Sequence, residues 1–572
     1  MKITSIIIAF TFALSISFAS ELTELYKKNQ TPTYTELIAH YQQLADTYES
    51  ARLIDYGKSD SGEPIYLFIV SHSGIFDADS IQAVGLATVL INNAIHPGEP
   101  CGVDASAKLA EDLLAEGVIP NTRVVTCIIP AYNVGGMLNR GCCSRANQDG
   151  PEEYGFRGNS KNLDLNRDFI KADAENTKTF YKIYHDWKPQ IFVDAHSTNG
   201  ADYPAEMTLI NTARSRVEES MRTFFNSGMT NSLYRDMIKE GHSISPYYHT
   251  FGDTITDGLM EYMDSPRYST GYTTLFNTMG YVSEAHMLKP YPVRVEATYA
   301  FLNAVVFYAQ LNSSAILSIY NNANNNIRKV KEYGINYKLD TTTNLELKFE
   351  SYRKKYRTSS VTGLPIHYFD QSIRDTNTIP YYADYKPEKM IQVPQYYVLQ
   401  QAWTAVKERI DLSQIEYRTL TKDTTMHVEL YYISKYETSD RPYEGHYFHY
   451  NTEVIKDTQE VTVRAGDMLI PTDQDGIRYL IESLEPEAED SFFSWGFFDS
   501  MLQQKEWFSD YVFEPKAEKI LAENPKLKAD FEQKKKDDKE FAASSWAMLY
   551  YIYTNSKYYE KTHNRYPVFR VM

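Results

Sequence analysis

The chain has 572 residues, more than one ordinary hydrophobic core accommodates, so we expect two or three domains. Hydrophobic residues make up 43% of the chain and no long low-complexity tract interrupts it, which indicates a folded globular protein. The formal net charge is −17, and the one noticeable lysine run, at 534–540, mixes both signs. An acidic chain without a basic cluster is a poor candidate for binding nucleic acid or an anionic membrane, so we expect neither as a partner.

The N-terminus, MKITSIIIAFTFALSISFAS, predicts a secretory signal peptide at residues 1–19. Lys2 gives a positive start, an apolar stretch follows, and Ser17 and Ala19 fit a small-x-small cleavage site. No cysteine follows the site to carry a lipid anchor, and no later stretch has about 20 continuous apolar residues. We therefore expect an exported protein, periplasmic or secreted, with no membrane span in the mature chain.

Four cysteines, Cys101, Cys127, Cys142 and Cys143, occur at spacings that match no thiolate zinc site. Export permits disulfides, but the pairing cannot be read from the sequence, and adjacent cysteines seldom bridge each other. Buried thiols or a single bridge are the expectation.

Short apolar runs in the first part of the chain predict buried strands at 87–92, 124–129, 190–195 and 280–285. Helical patterns lie between them, at 103–117 and 174–189. This alternation predicts an α/β domain with a mixed, largely parallel central sheet flanked by helices. Because the runs are continuously apolar, both faces of the sheet should be covered.

A long helical stretch at about 292–330 closes this first region, for which we predict the bounds 20–333. Alternating patterns then predict a smaller β-rich domain at 334–490, whose role stays open. From about residue 491 the pattern is helical again, which predicts a helical C-terminal segment at 491–572.

Polar side chains follow three of the predicted strands and form a candidate metal site. His96 and Glu99 lie in INNAIHPGEPCG, His196 in QIFVDAHSTNG, and Glu284 in GYVSEAH. Sites in open α/β sheets form at the carboxyl ends of strands, so these groups should converge. Two imidazoles and a carboxylate are the ligand set of a catalytic zinc, so we predict one zinc ion per chain. Asp194 could orient a ligand histidine.

The segment FRGNSKNLDLNRDF, at 156–169, supplies Arg157, Asn166 and Arg167. An arginine presents a planar fork that fits a carboxylate, and a neighbouring asparagine adds directional hydrogen bonds. A surface loop with salt bridges is the alternative reading of the same residues. The segment's place between the two metal half-sites favours a binding role.

In this order, HPGE, NLDLNRDF, DAHSTNG and VSEAH resemble the zinc carboxypeptidase family typified by carboxypeptidase A. The resemblance covers roughly residues 34–311 and implies that family's fold there. It implies zinc ligands at His96, Glu99 and His196, which agrees with the metal site inferred above. It also implies Glu284 as general base and proton shuttle.

For the substrate, the resemblance implies a peptide with a free C-terminal carboxylate, gripped by Asn166 and Arg167, and release of its terminal amino acid. Arg157 best matches the family's oxyanion-stabilising arginine, and either Tyr268 or Tyr272 matches its active-site tyrosine. Two features fall outside the pattern. HPGE lacks the basic residue that typical members carry inside this motif, and Arg267 could face an acidic side chain or form a structural ion pair.

Three other functions fit parts of the sequence. The same site could cut a cell-wall peptide with a D-amino acid or a γ-glutamyl link, or deacylate an amidoacid. An inactive protein that retains the fold and binds peptide or glycan is possible in principle, although the complete ligand set and Glu284 argue against it. A serine hydrolase is not indicated, because no Gly-x-Ser-x-Gly elbow occurs.

Overall fold

A computed structural model describes residues 21–115, 122–252 and 255–572, so the predicted signal peptide at 1–19 lies outside the described residues. An eight-stranded sheet forms the centre of the first part of the chain. Across the sheet its strands are Ala51–Lys58, Pro64–Val70, Val124–Ile129, Ala87–Asn92, Ile191–Ser197, Met279–Ala285, Met207–Asn211 and Ile244–Pro246.

The four middle strands of this sheet run parallel to one another, and antiparallel pairs lie on both sides of them. The mixed, largely parallel sheet predicted from the sequence is therefore confirmed. Strands Ala87–Asn92 and Val124–Ile129 have the predicted bounds, and every residue in them is buried. Continuous burial follows from helices that cover both sheet faces.

Helices flank the sheet, and several of them begin where the sequence supplies a side-chain cap. The first long one starts at a capping box in which Thr33 and Glu36 bond each other's backbone amides. The helix Cys101–Leu114 starts directly after the HPGE motif, and a Cβ at Gly102 would lie 2.3 Å from the Cβ of Ala195. Only glycine permits this close approach to the strand that carries His196. The α-helices of this region are Tyr34–Thr47, Ala78–Val84, Cys101–Leu114, Val134–Leu138, Glu175–Trp187, Glu219–Arg222, Thr230–Lys239, Ser269–Thr273 and Tyr291–Ile327.

The helix Tyr291–Ile327 has 37 residues and closes the first region, as the sequence predicts. By length and composition alone it could cross a membrane, but 44% of its most apolar window is buried inside the protein. Its buried side chains, such as Phe301 and Val305, belong to the main hydrophobic core. These contacts are typical of the core helix of a folded domain.

The second half of the chain is rich in long β-hairpins, as predicted. One hairpin pairs Leu345–Thr358 with Pro365–Tyr382, and another pairs Thr424–Thr438 with His449–Val463. The remaining strands are Leu259–Met260, Glu332–Leu339, Tyr385–Gln392, Tyr396–Leu399, Arg418–Thr419, Met468–Pro471 and Val568–Val571. The main hydrophobic core includes residues of both halves, among them Phe68 and Tyr397.

The C-terminal segment differs in one respect from the helical prediction for 491–572. Its helices are Asp510–Glu523, Pro525–Asp537, Lys539–Ala542 and Ser545–Thr554, and Thr404–Leu412 and Ile477–Leu484 precede them. The chain then returns as the strand Val568–Val571, which pairs with Tyr396–Leu399 and contacts Thr424–Thr438 through Arg570. A strand of four residues carries too little periodicity to be predicted, and its partners are far away in sequence.

The cysteines form a single bridge, as expected, but it joins the adjacent Cys142 and Cys143, a pairing that we expected to be rare. Cys143 has a φ of 78°, in the left-handed region. Cys101 and Cys127 are buried free thiols.

Candidate active site

The predicted metal ligands and Glu284 come from three neighbouring elements of the sheet. His96 and Glu99 lie in the turn after the strand Ala87–Asn92, and His196 lies near the end of the next strand. Glu284 is on the strand beyond, where it is the register partner of His196. Register partners point to the same face of a sheet, so Glu284 lies beside the histidine rather than on the opposite face.

The two histidines and Glu99 form a compact, buried cluster whose candidate ligand atoms all lie within 4.8 Å of one another. His96 Nδ1 is 3.4 Å from Glu99 Oε1, and His196 Nδ1 is 3.2 Å from Glu99 Oε2. Two ligands bound at about 2.0–2.1 Å to a tetrahedral ion are about 3.3–3.4 Å apart. The spacing of these atoms therefore fits one zinc ion.

The other ring nitrogen of each histidine contacts a carboxylate. His96 Nε2 is 2.8 Å from Asp164 Oδ1, while His96 Nδ1 is buried without a hydrogen-bond partner among the described residues. His196 Nε2 is 3.0 Å from Asp194 Oδ2, and Asn92 donates a hydrogen bond to the other oxygen of Asp194. Such carboxylates orient metal-binding histidines and fix their tautomer. Both imidazoles thus turn Nδ1 towards the common centre, and the residues present fit a zinc ion.

The pKa values of the two glutamates of the site, Glu99 and Glu284, are shifted in opposite directions. Burial raises the pKa of Glu99, but Arg145 and His96 outweigh this effect and hold that pKa well below its usual range. For Glu284, burial and the Glu99 carboxylate together raise the pKa to about 7, against the opposing effect of His196. Glu99 is therefore an anion that could serve as a metal ligand, whereas the pKa of Glu284 permits proton uptake and release near neutral pH.

Two arginines contact Glu99, and the sequence analysis identified only one of them. Arg157, the predicted one, holds Asp164 through Nε at 3.0 Å and Nη2 at 2.8 Å, and its Nη1 donates to Glu99 at 3.4 Å. Arg145 was missed, although its Nη1 donates to Glu99 Oε1 at 2.5 Å. Arg145 lies in an irregular segment with no periodicity or motif, so no sequence signal pointed to it.

Asn166 and Arg167 line the same cavity as the metal cluster. The Oδ1 of Asn166 accepts a hydrogen bond from the Ser269 amide at 3.2 Å, which leaves its Nδ2 donors for a ligand. Arg167 donates through Nη1 to the Asn166 carbonyl, and its guanidinium lies 4.5 Å from the centre of the Tyr268 ring. Among the described residues, its Nε and Nη2 have no hydrogen-bond acceptor, so they are available to a substrate carboxylate.

The cavity has a volume of about 490 Å³ and joins all of these groups. Tyr247, Tyr262 and Tyr268 form an aromatic part of its wall, of which the sequence analysis identified Tyr268 alone. Asp264 also lines the cavity, and its buried Oδ2 has no hydrogen-bond partner among the described residues.

Tyr272, the alternative to Tyr268, is not part of the cavity wall, and the expectation that it contacts substrate is corrected. Its side chain is fully buried, stacked on Tyr181 at 4.6 Å, and its hydroxyl bonds His185 at 2.8 Å. The two tyrosines are four residues apart, on either side of a helix start, and the helix Ser269–Thr273 turns Tyr272 into the core.

Arg267 has the structural role that the sequence analysis left open. Its Nε is 2.8 Å from Asp490 and its Nη2 is 3.3 Å from Glu489, so it ties the loop before Tyr268 to the second half of the chain. A second tie holds the substrate-binding segment, because Glu444 accepts a hydrogen bond from the Asp164 amide at 2.8 Å. The β-rich half therefore supports two walls of the cavity.

No family model matches the chain, and a search of curated proteins found no match. Among solved structures, a metallo-carboxypeptidase from Burkholderia cenocepacia is similar at 15% identity and a TM-score of 0.36, over 48% of this chain and 68% of that chain. Carboxypeptidase A from Helicoverpa armigera is similar at 12% identity and a TM-score of 0.38, over 52% of this chain and 80% of that chain.

A third similar structure is bovine thrombin-activatable fibrinolysis inhibitor in complex with tick carboxypeptidase inhibitor, at 12% identity and a TM-score of 0.36, over 51% of this chain and 98% of that chain. These proteins include carboxypeptidases, the family that the sequence motifs resemble. We base the functional proposal on the residues of the site itself.

Proposed function

We propose that this protein is a zinc-dependent peptidase that releases C-terminal amino acids from peptides. One observation carries the proposal: a buried His96–Glu99–His196 set, the non-ligand carboxyl of Glu284 and the free donors of Arg167 face one cavity. A metal-dependent hydrolase that acts at the C-terminus of a peptide needs a metal site, a proton carrier and a group that recognises the terminal carboxylate.

Arg167 and Asn166 would bind the substrate's terminal carboxylate. Arg167 supplies Nε and Nη2 as a fork, and Asn166 adds its Nδ2 donors from the side. The Tyr268 ring packs against the guanidinium and limits its movement. Fixing the carboxylate in this way places the last peptide bond at a defined distance from the metal cluster, which lowers the entropy cost of reaction.

His96, Glu99 and His196 would hold the ion. Bound zinc supplies a Lewis acid that polarises the scissile carbonyl and lowers the pKa of a water molecule. Glu284 would accept a proton from a water molecule in the cavity and would later donate it to the leaving amine. Its raised pKa, about 7, suits both directions of transfer near neutral pH.

Arg157 and Arg145 would stabilise the negative charge that develops on the carbonyl oxygen. Both guanidinium groups lie at Glu99, and the side chain of Arg157 is 44% exposed, so it can donate to a ligand in the cavity. Loss of one such donor typically lowers the turnover rate about 10²–10³-fold. Arg145 supplies a second cation next to the HPGE turn, which itself lacks the basic residue of the family motif.

The test combines zinc content with turnover on a peptide that has a free C-terminus. We expect about one zinc ion per chain, lost in the double variant His96→Ala and His196→Ala. Glu284→Gln should keep the zinc and lower turnover at least about 10²-fold, the lower end of what a positioned general base contributes. The matched control Glu219→Gln changes an exposed glutamate and should leave both measurements unchanged.

Two results would reject parts of this proposal. Near-normal turnover of Glu284→Gln with zinc in place would show that Glu284 is not the base. Undiminished zinc in the histidine double variant would show that the ion binds elsewhere. Absence of peptide hydrolysis by the zinc-loaded wild-type protein across free-acid peptides would reject the activity itself.

A further inference from the structure

A hairpin projects from the second half of the chain, and its outer part packs on no hydrophobic cluster of the described residues. We define the hairpin arm as residues 353–370. Strand pairing runs from Arg353 and Asp370 to Thr358 and Pro365, and the turn 359–364 closes it. Six paired residues extend about 20 Å at about 3.4 Å per residue. Most side chains of the arm are exposed, so it reaches into solvent.

The arm carries positive charge in a chain whose net charge is −17. From residue 353 to residue 369 the sequence contains Arg353, Lys354, Lys355 and Arg357 and no aspartate or glutamate. The net charge of the whole chain led us to expect no binding to an anionic membrane. That expectation does not apply to the arm, because the net charge conceals a local run of basic residues. An anionic surface would repel the negatively charged remainder of the protein and attract the arm. The protein would therefore approach such a surface with the arm in front.

Only part of this charge is neutralised within the protein. Arg353 pairs with Asp375, and Lys355 pairs with Asp370 at 2.7 Å. In the described part of the chain, Lys354 has no ion-pair partner and lies 5.8 Å from the centre of the Tyr356 ring.

Arg357 resembles Lys354 in this respect. It has no ion-pair partner within the described ranges, and its guanidinium lies 5.6 Å from the ring centre of Tyr368. An aromatic face does not neutralise a cation, so both groups keep their charge for an external anion.

The end of the arm is apolar as well as cationic. Val361 is 92% exposed, Leu364 is 66% exposed and Ile366 is 47% exposed. They lie within and just after the turn that closes the arm, and Tyr356, near the end of the neighbouring strand, is 68% exposed. Aliphatic side chains at this exposure leave their apolar surface in water unless something covers it.

We propose that the hairpin arm docks the protein on an anionic lipid membrane. The aliphatic tip would enter the interfacial layer, while Lys354 and Arg357 contact the lipid phosphates. Apolar insertion combined with basic residues is the combination that binds proteins to the surface of anionic bilayers. A nucleic acid would use the cations and the aromatic rings but would leave Val361 and Leu364 in water, so a membrane accounts for more of the arm.

The base of the arm lies near the active site. Gln371 donates a hydrogen bond to Asp202 at 3.0 Å, and Lys289 donates to the Tyr352 hydroxyl at 3.3 Å. Asp202 belongs to the loop that follows the His196 strand and that contributes Asn199 to the cavity wall. Docking through the arm would therefore hold the cavity at a fixed distance from the lipid surface, independently of which substrate it takes.

The test is co-sedimentation of the purified full chain with vesicles of phosphatidylcholine, with or without phosphatidylglycerol. We expect binding to the phosphatidylglycerol vesicles that weakens as salt rises, because salt screens the attraction. The double variant Lys354→Glu and Arg357→Glu should bind at least tenfold more weakly. Val361→Asp with Leu364→Asp should show a similar loss, although this variant keeps every cation.

Matched controls separate docking from general effects. Lys526→Glu with Lys528→Glu makes the same change in net charge on an exposed helix, and Val84→Asp with Leu311→Asp introduces the same acids at exposed apolar positions. Both control variants should bind vesicles like the wild type. All variants should keep the thermal unfolding midpoint and the zinc content of the wild type, which would show that the arm variants are folded.

Three results would overturn the proposal. Equal binding to both kinds of vesicle would remove the role of anionic lipid. Retained binding by the Val361→Asp and Leu364→Asp variant would show attraction by charge alone, without insertion. A doubled mass in light scattering that these substitutions abolish, with no vesicle binding, would assign the tip to a second copy of this chain.

Discussion

Asp164 connects the candidate metal site with the candidate substrate site. One carboxylate oxygen contacts His96 Nε2, and the other accepts hydrogen bonds from Arg157. Burial raises its pKa, but His96 and the neighbouring arginines outweigh burial and lower it below the usual range. A charged Asp164 therefore orients His96, a candidate metal ligand, and holds Arg157 at the same time. Two residues further on, Asn166 belongs to the pair that we propose binds the substrate carboxylate.

Arg167→Ala should separate substrate recognition from chemistry. The substitution removes the free donors of the guanidinium fork, so we expect a rise in KM for peptides with a free C-terminus. Peptides with an amidated C-terminus lack the anionic partner, and their slower hydrolysis should change far less. The ratio of kcat/KM for the two substrate types, measured in wild type and variant, checks this.

Arg145 is not suited as the control in that experiment, because it contacts Glu99. Arg441 serves better, since it is exposed and lies outside the cavity. Arg441→Ala should leave the ratio of the two substrates unchanged. Equal losses on free and amidated peptides in Arg167→Ala would instead assign Arg167 a structural role.

At the level of single residues, the sequence predicted what lies in short motifs and missed what long-range folding adds. His96, Glu99, His196 and Glu284 follow apolar strands, so their convergence could be inferred from the strand-end rule. Arg145 reaches Glu99 from an irregular segment, which no periodicity describes. Tyr268 points into the cavity and Tyr272 into the core because a helix starts between them. The sequence did not predict where this short helix begins.

Among elements, continuous apolar runs were the most predictable. A continuous run of six apolar residues such as Ala87–Asn92 predicts a buried strand without knowledge of its neighbours, because both faces of the strand are covered. The strand Val568–Val571 could not be predicted, since it becomes a strand only by pairing with partners more than 100 residues away in sequence. Its place in the sheet joins the chain's last residues to the β-rich half.

Arg570 anchors this last strand, and its replacement should destabilise the protein. The side chain is 1% exposed and pairs with Glu485 at 3.1 Å and with Glu429. Removing one partner of a buried pair leaves uncompensated charge, which typically costs about 3–5 kcal/mol. We therefore expect Arg570→Ala to lower the free energy of unfolding by this order, measured by urea denaturation.

Arg464→Ala is the matched control for Arg570→Ala. Arg464 pairs with Asp423 at 2.6 Å, but its side chain is 68% exposed. Exposed pairs contribute about 0–1 kcal/mol because water and salt screen them. If both variants lose the same stability, the last strand is not anchored through Arg570.

For the molecule as a whole, several buried carboxyls are kept from ionising, and this affects stability across the physiological pH range. Burial raises the pKa of Glu261 to about 8, and it raises those of Asp104 and Glu111 to about 7. Their ordinary values are 4.5 for glutamate and 3.8 for aspartate. At pH values between the ordinary pKa and the raised pKa of each group, the folded protein therefore binds more protons than the unfolded chain.

The sign of the pH effect follows for Glu261. Below about pH 4.5 the carboxyl is protonated in both states, and its contribution to stability is fully present. As the pH rises, the unfolded chain ionises first, so stability falls until the folded carboxyl also ionises near pH 8. The slope for a single such group is about 1.4 kcal/mol per pH unit at most.

Glu261→Gln removes this titration and should flatten the dependence of stability on pH. The amide oxygen can still accept one of the hydrogen bonds that Asn211 and the Arg214 amide donate to the carboxyl. We expect the thermal unfolding midpoint of the variant to fall less between pH 5 and pH 8 than that of the wild type, because burial penalises only the charged carboxylate. The exposed Glu346→Gln serves as the control and should keep the wild-type slope. A Glu261→Gln slope equal to that of the wild type would mean that this carboxyl ionises normally inside the fold.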